Sequence, residues 1–436
     1  MIHCKRNWMT IFLMVLAVPA WTQEKPAEWN LKSCIEYARK QNIQIRQSRL
    51  SLEESLENTR SAKAQRLPSL SFSSAHNYVN RPRTEAGDKN SYNGSYDLNS
   101  SVTLYQGGQL KKNLQQMELQ YQVQALTVEE AENNIELAIT QAYVQVLYAD
   151  EAVKINENTV EVSKAQRDRG EELMKAGSLS KADFAQLESQ YTSDKYQLVV
   201  ARTSLDNARL ELKQLLELGI NDEMKLVIPD LQDSAVLQLL PDKVSVYQTS
   251  LEVMPEVKYN QLNIQIAGLE KKKAWAGYLP SLRLSAGVGT NLASGTSWGT
   301  QMKHNWSENV GLTLSIPIFS NRSVKTSVNI ARINVENAEL AYENVRKDLL
   351  RSVETIYQDA VAAQDRYRSA KENLNAVQFS FNLTQEQFFL GMKNTLEMLT
   401  EKNNLLSAQL EMVQAKYMAI LNKQLLNFYR GLEIQL

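Results

Sequence analysis

Between Gly108 and Ala176 the chain runs 69 residues without a proline. At about 1.5 Å of rise per residue, such a run spans about 100 Å as a helix. No single globular domain holds a helix that long. Its apolar positions Ile135, Ile139, Ala142, Val146, Ala149 and Val153 alternate four and three apart. That spacing is the heptad seam of packed helices. Only 9 prolines and 16 glycines punctuate all 436 residues, which favours long elements throughout.

The run has a second copy. "IELAITQAYVQVLYA" (135–149) lies over "LLRSVETIYQDAVAA" (349–363) at an offset of 214, with Tyr143 on Tyr357. Leu349, Val353, Ile356, Ala360 and Ala363 repeat the seam. Gly177 of "KAGSLSKADF" falls on Gly391 of "FLGMKNTLEM" at the same offset. Upstream the offset is 212: Asn42 matches Met254, Leu50 matches Leu262, and "AQRLPSL" (64–70) matches "AGYLPSL" (276–282). Two similar coiled coils would explain matched helices, but not matched prolines and glycines. The sequence therefore reads as a duplication, with two extra residues in a loop between the second LPSL and the next helix.

Each half predicts helix, strand, strand, long helix, turn, return helix. The first helix is expected over 31–66, the first long helix over 108–176, and the return helices over 180–218 and 394–430. Gly177 and Gly391 sit where the chain must reverse, because glycine tolerates φ > 0. The expected organisation is a first repeat over 21–217, a linker over 218–246 broken by Gly219, Pro229 and Pro241, and a second repeat over 247–436.

After Pro68 the period drops to two. Strands are expected at about 68–80, 92–105, 280–292 and 306–318. Leu70, Phe72 and Tyr78 share one face against Ser69, Ser71 and Ser73. The later strands alternate likewise, through Tyr92, Tyr96, Leu98, Val102 and Leu104, then Leu282, Leu284, Ala286, Val288 and Leu292, then Val310, Leu312, Leu314, Ile316 and Ile318. Such strands fit a transmembrane β-barrel or a soluble sheet with one wet face. Tyr78, Tyr92, Trp298 and Trp306 suit the interfacial girdles of a barrel.

The N-terminus favours the barrel. Lys5 and Arg6 precede the apolar stretch "WMTIFLMVLAV" (8–18), and "VPA" (18–20) supplies small residues for cleavage after Ala20. This reads as an export signal over 1–20. Cys4 leaves with it, so Cys34 is the one cysteine of the mature chain. No later stretch is apolar for 18 residues, so a membrane role must use strands or an amphipathic surface. Net charge is −1, too weak a field to mark nucleic acid as a partner.

Four strands cannot close a barrel, because the smallest have about eight. An open edge cannot sit in lipid, where unpaired N–H and C=O groups find no water. The chain must therefore oligomerise. Three copies give an even twelve strands and a ring of helical rods around a water-filled tube.

This plan resembles the TolC-like outer membrane efflux family. The resemblance rests on the duplicated order, on LPSL opening a strand twice, and on "LYQGGQLK" (104–111) and "IPIFSNRS" (316–323) at the strand exits. The glycine turns "AGSLSKADF" and "LGMKNTLEML" resemble the family's helix tips, and "LKQLLELGI" (212–220) its linker start. It implies a mostly α fold with a transmembrane β part: a homotrimer forming a 12-stranded outer-membrane β-barrel, continued by a long periplasmic α-helical barrel. It also implies a passive exit duct for efflux or type I secretion, reaching an inner-membrane pump through a periplasmic adaptor.

The resemblance further implies that the turns form the periplasmic tip. Gly177, Ser178, Leu179 and Ser180, with Gly391, Met392, Lys393 and Asn394, would dock the adaptor. Asp183 and Glu397 fall at the family's acidic gate positions, six residues after each glycine, and Lys393 where a basic partner of Asp183 stands. Phe388 replaces a hydrogen-bonding tyrosine and is expected to close the bore hydrophobically. Thr400 replaces a second acidic ring. The same charges also fit ordinary solvated helix faces.

The alternative is a periplasmic coiled-coil adaptor or scaffold, but adaptors carry one helical hairpin, not two copies of this plan. Catalysis is not expected. His76 and His304 are the histidines left after processing, and no metal-ligand spacing, phosphate loop or nucleophile elbow appears, so no cofactor or metal is expected.

Overall fold

A computed structural model describes residues 28–83, 90–229, 236–293 and 297–435. The expected export signal, with Cys4, lies outside the described residues, as do 230–235 of the expected linker. The first half holds α1 (Leu31–Gln41), α2 (Ile43–Ala64), β1 (Ser69–Asn80), β2 (Asn90–Gln106), α3 (Gln109–Lys175) and α4 (Lys181–Leu215). The second holds α5 (Lys243–Val253), α6 (Pro255–Trp275), β3 (Ser281–Ala293), α7 (Trp298–His304), β4 (Trp306–Ser315), α8 (Ser323–Phe389) and α9 (Thr395–Tyr429). The long helices α3 and α8 have 67 residues each, and the return helices α4 and α9 have 35 each.

The first helix is not one helix over 31–66. It breaks at Asn42, whose φ of −59° and ψ of 131° are not helical. Asn42 ends α1 and caps α2, its Oδ1 accepting from Gln44 N–H at 2.9 Å. Its Nδ2 donates to the Leu215 carbonyl at 3.1 Å, tying the break to the end of α4. Met254 breaks the second half at the matching position, with φ −65° and ψ 126°. There the following Pro255, at the first helical position, makes the break without a capping side chain.

The strands form one antiparallel sheet in the order β1-β2-β3-β4. β4 ends at Ser315, not at 318, because Pro317 has no N–H to donate to a ladder. Trp298 does not flank a strand end: it opens the short helix α7 between β3 and β4. The base of the first hairpin pairs Ser69 with Ser101, and the base of the second pairs Ser281 with Ser315. The partners are thus offset by 212 and 214, which puts the two extra residues within the second hairpin, between Ser281 and Ser315.

Directly paired residues share a face. Phe72 pairs with Leu98 and Leu98 with Val288, while Leu284 pairs with both Val102 and Leu312. This face is mostly apolar across the four strands, with Glu308 opposite Val288 and Ser100 opposite Leu70 as polar exceptions, and Leu70, Phe72, Val310, Leu312 and Leu314 on it are exposed. The opposite face carries Ser71, Asn99, Gly287 and Asn309 in register. β1 and β4 are the edges, and among the described residues no further strand covers them.

The core runs along the helices. Ile135, Ile139, Ala142, Val146, Ala149 and Val153 of α3 are buried with Leu349, Val353, Ala360 and Ala363 of α8. Ile356 packs on them half-buried. Trp29, bridged in parallel to Leu226, closes the same core beside the linker. A second, smaller cluster lies near the two turns: Leu187, Phe388, Met398 and Leu399, with Leu179 against it.

Candidate functional site

The two turns are built alike. Gly177 (φ 77°) and Gly391 (φ 75°) adopt the left-handed conformation just past their helices. In the first turn Ser178 N–H donates to the Leu173 carbonyl at 2.9 Å and Gly177 N–H to Met174 at 3.0 Å. In the second, Met392 N–H donates to Gln387 at 2.8 Å and Gly391 N–H to Phe388 at 3.0 Å. This double closure satisfies carbonyls that a helix end leaves open. The return helices are then capped at once, by Ser180 Oγ accepting from Asp183 N–H at 3.0 Å and by Asn394 Oδ1 accepting from Glu397 N–H at 2.8 Å. Glu397 Oε2 accepts in return from Asn394 N–H at 3.1 Å, completing a capping box.

The expected Lys393–Asp183 tie is not made within the chain. Lys393 Nζ donates to Glu397 Oε1 at 2.8 Å, four residues on. Asp183 Oδ2 instead accepts from Ser180 Oγ at 2.5 Å. Each carboxylate thus sits at the N-terminal turn of its helix, where orphan N–H groups and the helix dipole favour negative charge. The Lys393 ammonium, and after it the Asn394 N–H, hold the Glu397 carboxyl below the usual glutamate range.

Phe388 is buried. Its ring is 6% exposed and belongs to the small cluster with Leu187, Met398 and Leu399. It packs the two hairpins of one chain together, so it cannot project into a bore. Thr400 spends its hydroxyl on the Leu396 carbonyl at 2.8 Å. Among the exposed apolar groups at the tip, Met392, 71% exposed, was expected in the docking turn, whereas Leu390, 74% exposed, and Leu396 beside it are ones the sequence did not single out. All three belong to the second turn, and in the first only Leu179 is apolar and it is half-buried. Hydropathy alone could not find Leu396, because it lies in the same apolar run as the buried Met398 and Leu399.

Farther from the turns, α4 and α9 meet through a buried ion pair between Asp194 and Lys402. Gln190 Nε2 donates to Asp194 Oδ1 at 2.9 Å and to Asn403 Oδ1 at 3.2 Å at the same level. The sequence carried a signal for this pair: Lys402 stands in the i+3 and i+4 rows of Met398 and Leu399, where packing calls for an apolar side chain. Among the described residues no group of three or more His, Cys, Asp or Glu is placed to hold a metal, and no helix is long and apolar enough to cross a membrane.

Paired hairpins ending in glycine turns, on a four-stranded sheet with one mostly apolar face, match known proteins along most of the chain. The family model described as outer membrane efflux protein matches residues 34–217 and 246–431. The chain belongs to the outer membrane efflux protein family. The outer membrane protein TolC of Salmonella enteritidis is 22% identical over 431 residues, covering 96% of this chain and 85% of TolC. TolC of Escherichia coli (strain K12) is 23% identical over 429 residues, covering 94% and 84%. The alkaline protease secretion protein AprF of Pseudomonas aeruginosa is 22% identical over 294 residues, 67% of this chain and 60% of AprF. Among solved structures, that of CusC superposes with a TM-score of 0.79 at 19% identity, covering 94% of this chain and 96% of CusC. As an outer membrane efflux protein, the chain places its sheet in the outer membrane and its helices in the periplasm.

Proposed function

We propose that three copies of this chain close a twelve-stranded barrel in the outer membrane and continue it as a helical tube across the periplasm. The tube is a passive exit duct for efflux or type I secretion and catalyses no reaction. One observation carries this reading: a sheet with an exposed apolar face and two unpaired edges. In lipid every backbone polar group needs a partner, so β1 of one copy must meet β4 of the next. Exposed Tyr196, Val199 and Val200 on α4 give the rods an apolar side for the same closure.

The tip receives a periplasmic adaptor that links the duct to an inner-membrane pump. Its docking surface is the turn pair Gly177–Ser180 and Gly391–Asn394, with Leu390 and Leu396 adding apolar area to the second turn. Asp183, Lys393, Glu397 and Thr400 ring the gate, while Phe388 holds its wall from within. The caps and the Lys393–Glu397 pair are local and solvated, and exposed ion pairs of this kind contribute little to stability. Ties that weak suit a gate that a partner opens.

Purified protein should form pores in planar bilayers and migrate unboiled as a trimer-sized band. A folded trimer that never conducts, even with Asp183 and Lys393 replaced, would sink the duct. Solubility of the mature chain without detergent would sink the barrel.

A further inference from the structure

The net charge of −1 conceals an uneven zone. Residues 58–68, 107–117, 271–280 and 316–331 hold ten Lys or Arg and no Asp or Glu. These stretches are the ends of α2 and α6 and the starts of α3 and α8, where the helices meet the sheet. Together they make a basic collar at the periplasmic edge of the outer membrane. Within it only Arg60 makes an ion pair among the described residues, with Glu57.

The helix dipole accounts for part of this collar. Cations at the C-terminal ends of α2 and α6 suit the negative end of a helix. Lys111, Lys112, Arg322 and Lys325 do not. They stand at the N-terminal ends of α3 and α8, where the dipole opposes them, and neither first turn carries an acidic residue. The backbone adds a second objection. Arg322 adopts φ 67° before α8, where the matching residue before α3 is Gly108 at 75°. An arginine is strained in that conformation and a glycine is not. Local folding thus gives no reason for the cations at the exit of β4.

An amphiphilic cleft lies at this exit. Tyr278, Ile318, Phe319, Arg322 and Lys325 line a cavity of about 360 Å³ between the end of α6 and the start of α8. Ile318 and Phe319 are 96% and 84% exposed, and Trp275 is exposed nearby in sequence at the end of α6. Ile316 and Ile318 keep the two-residue spacing of Leu312 and Leu314 on the apolar face, and the cations follow on the helix side. The side chains of Arg322 and Lys325 have no hydrogen-bond or ion-pair partner among the described residues. From sheet to helix the cleft is therefore apolar first and cationic second, the order in which a membrane lipid presents its chains and its phosphate.

We propose that this cleft binds an anionic phospholipid of the inner leaflet of the outer membrane, its phosphate on Arg322 and Lys325 and its chains against Ile318 and Phe319. The rest of the collar draws the same lipids to the neck of the protein by charge. Closure of the sheet between copies strengthens the need for an anion. A β1 laid beside β4 brings Lys63 and Arg66 of the next copy to this exit, and like charges repel unless an anion stands between them. The inference rests on the outer-membrane placement of the sheet and not on conduction through the tube.

The test measures retention of dioleoylphosphatidylglycerol by detergent-solubilised full-length protein in native mass spectrometry, beside dioleoylphosphatidylcholine and inorganic phosphate. Wild type should retain the anionic lipid in preference to the zwitterionic one. Arg322→Gly gives the second repeat the glycine that the first already has, so it should fold, and it should weaken phosphatidylglycerol binding about fivefold. Lys325→Gln should do the same. Phe319→Ser should weaken binding of both lipids, because it removes the seat of the chains. Lys164→Gln, an exposed cation on α3 away from the sheet, should change nothing. Equal retention of the two lipids, equal loss in Lys164→Gln, or unchanged binding in both Arg322→Gly and Lys325→Gln overturns the site. Two further results also overturn it: displacement of the lipid by an equal concentration of inorganic phosphate, which assigns the cleft to phosphate alone, and trimers lost in both variants with lipid retention unchanged, which assigns it to the contact between copies. Wild type that binds the lipid yet never forms pores upholds the site and overturns the duct.

Discussion

At the residue scale, the tip side chains are committed to local bonds. Glu397 shows it best. Its carboxylate accepts from Lys393 Nζ and from the Asn394 N–H that opens α9. These bonds exist only with the charged form and lower its pKa from the ordinary 4.5. A lowered carboxyl pKa stabilises the fold at pH values above the unfolded value, and that contribution is lost as pH falls through the folded value. The capping box should therefore be intact at neutral pH and release only in acid below the ordinary glutamate value. A carbon-detected NMR titration of Glu397 checks this directly, and Lys393→Met should return its pKa most of the way toward 4.5. An unchanged midpoint would mean the helix N-terminus alone sets the charge. The gate residues' identities were readable from spacing, but their partners were not. Lys393 has two carboxylates within reach of a tip, and only the folded turn decides that the one four residues on is nearer.

At the scale of elements, period and punctuation carried most of the information. Strands were legible because alternation is a property of adjacent residues, and β1, β2 and β3 begin or end within two residues of where it starts or stops. The break at Asn42 was not legible. Asparagine interrupts no pattern, and its role depends on Leu215, 173 positions away. Removing that role gives a prediction: Asn42→Ala loses the cap and leaves the Leu215 carbonyl unpaired, costing about 1–3 kcal/mol together. Chemical denaturation of the purified protein would read the loss as a lower midpoint with an unchanged slope. The faces of the sheet give another. Leu312 is on the apolar face and Thr313 on the polar one. Leu312→Arg puts a charge against lipid, at about 2–4 kcal/mol near the bilayer midplane, while Thr313→Arg faces the lumen. Insertion measured by heat-modifiable gel migration should fall steeply for the first and little for the second. Equal loss for both would mean that the exposed apolar face is not the lipid face.

At the scale of the whole molecule, the decisive feature is what the fold leaves unfinished. Duplication doubles a two-stranded unit, and β2 pairs with β3 across the joint between repeats. Among the described residues no strand supplies the same pairing to the outer edges of β1 and β4. The repeat junction within a chain is therefore a template for the junction between chains: β4 should meet the next copy's β1 as β2 meets β3. Proline tests this, because it removes one N–H and leaves the rest of an edge strand in place. Along β1, successive residues donate alternately inward to β2 and outward. Ser71→Pro and Phe72→Pro, introduced singly, should thus separate the two ladders: one damages the β1–β2 hairpin, and the other damages only the contact between copies. The outward position should abolish the trimer band while circular dichroism keeps its full helical signal, because α3, α4, α8 and α9 pack within one chain. The inward position should lose the hairpin as well, visible as faster proteolysis at its base. If trimers form normally with proline at both positions, closure does not run through β1, and the apolar sides of the helical rods must hold the copies together instead.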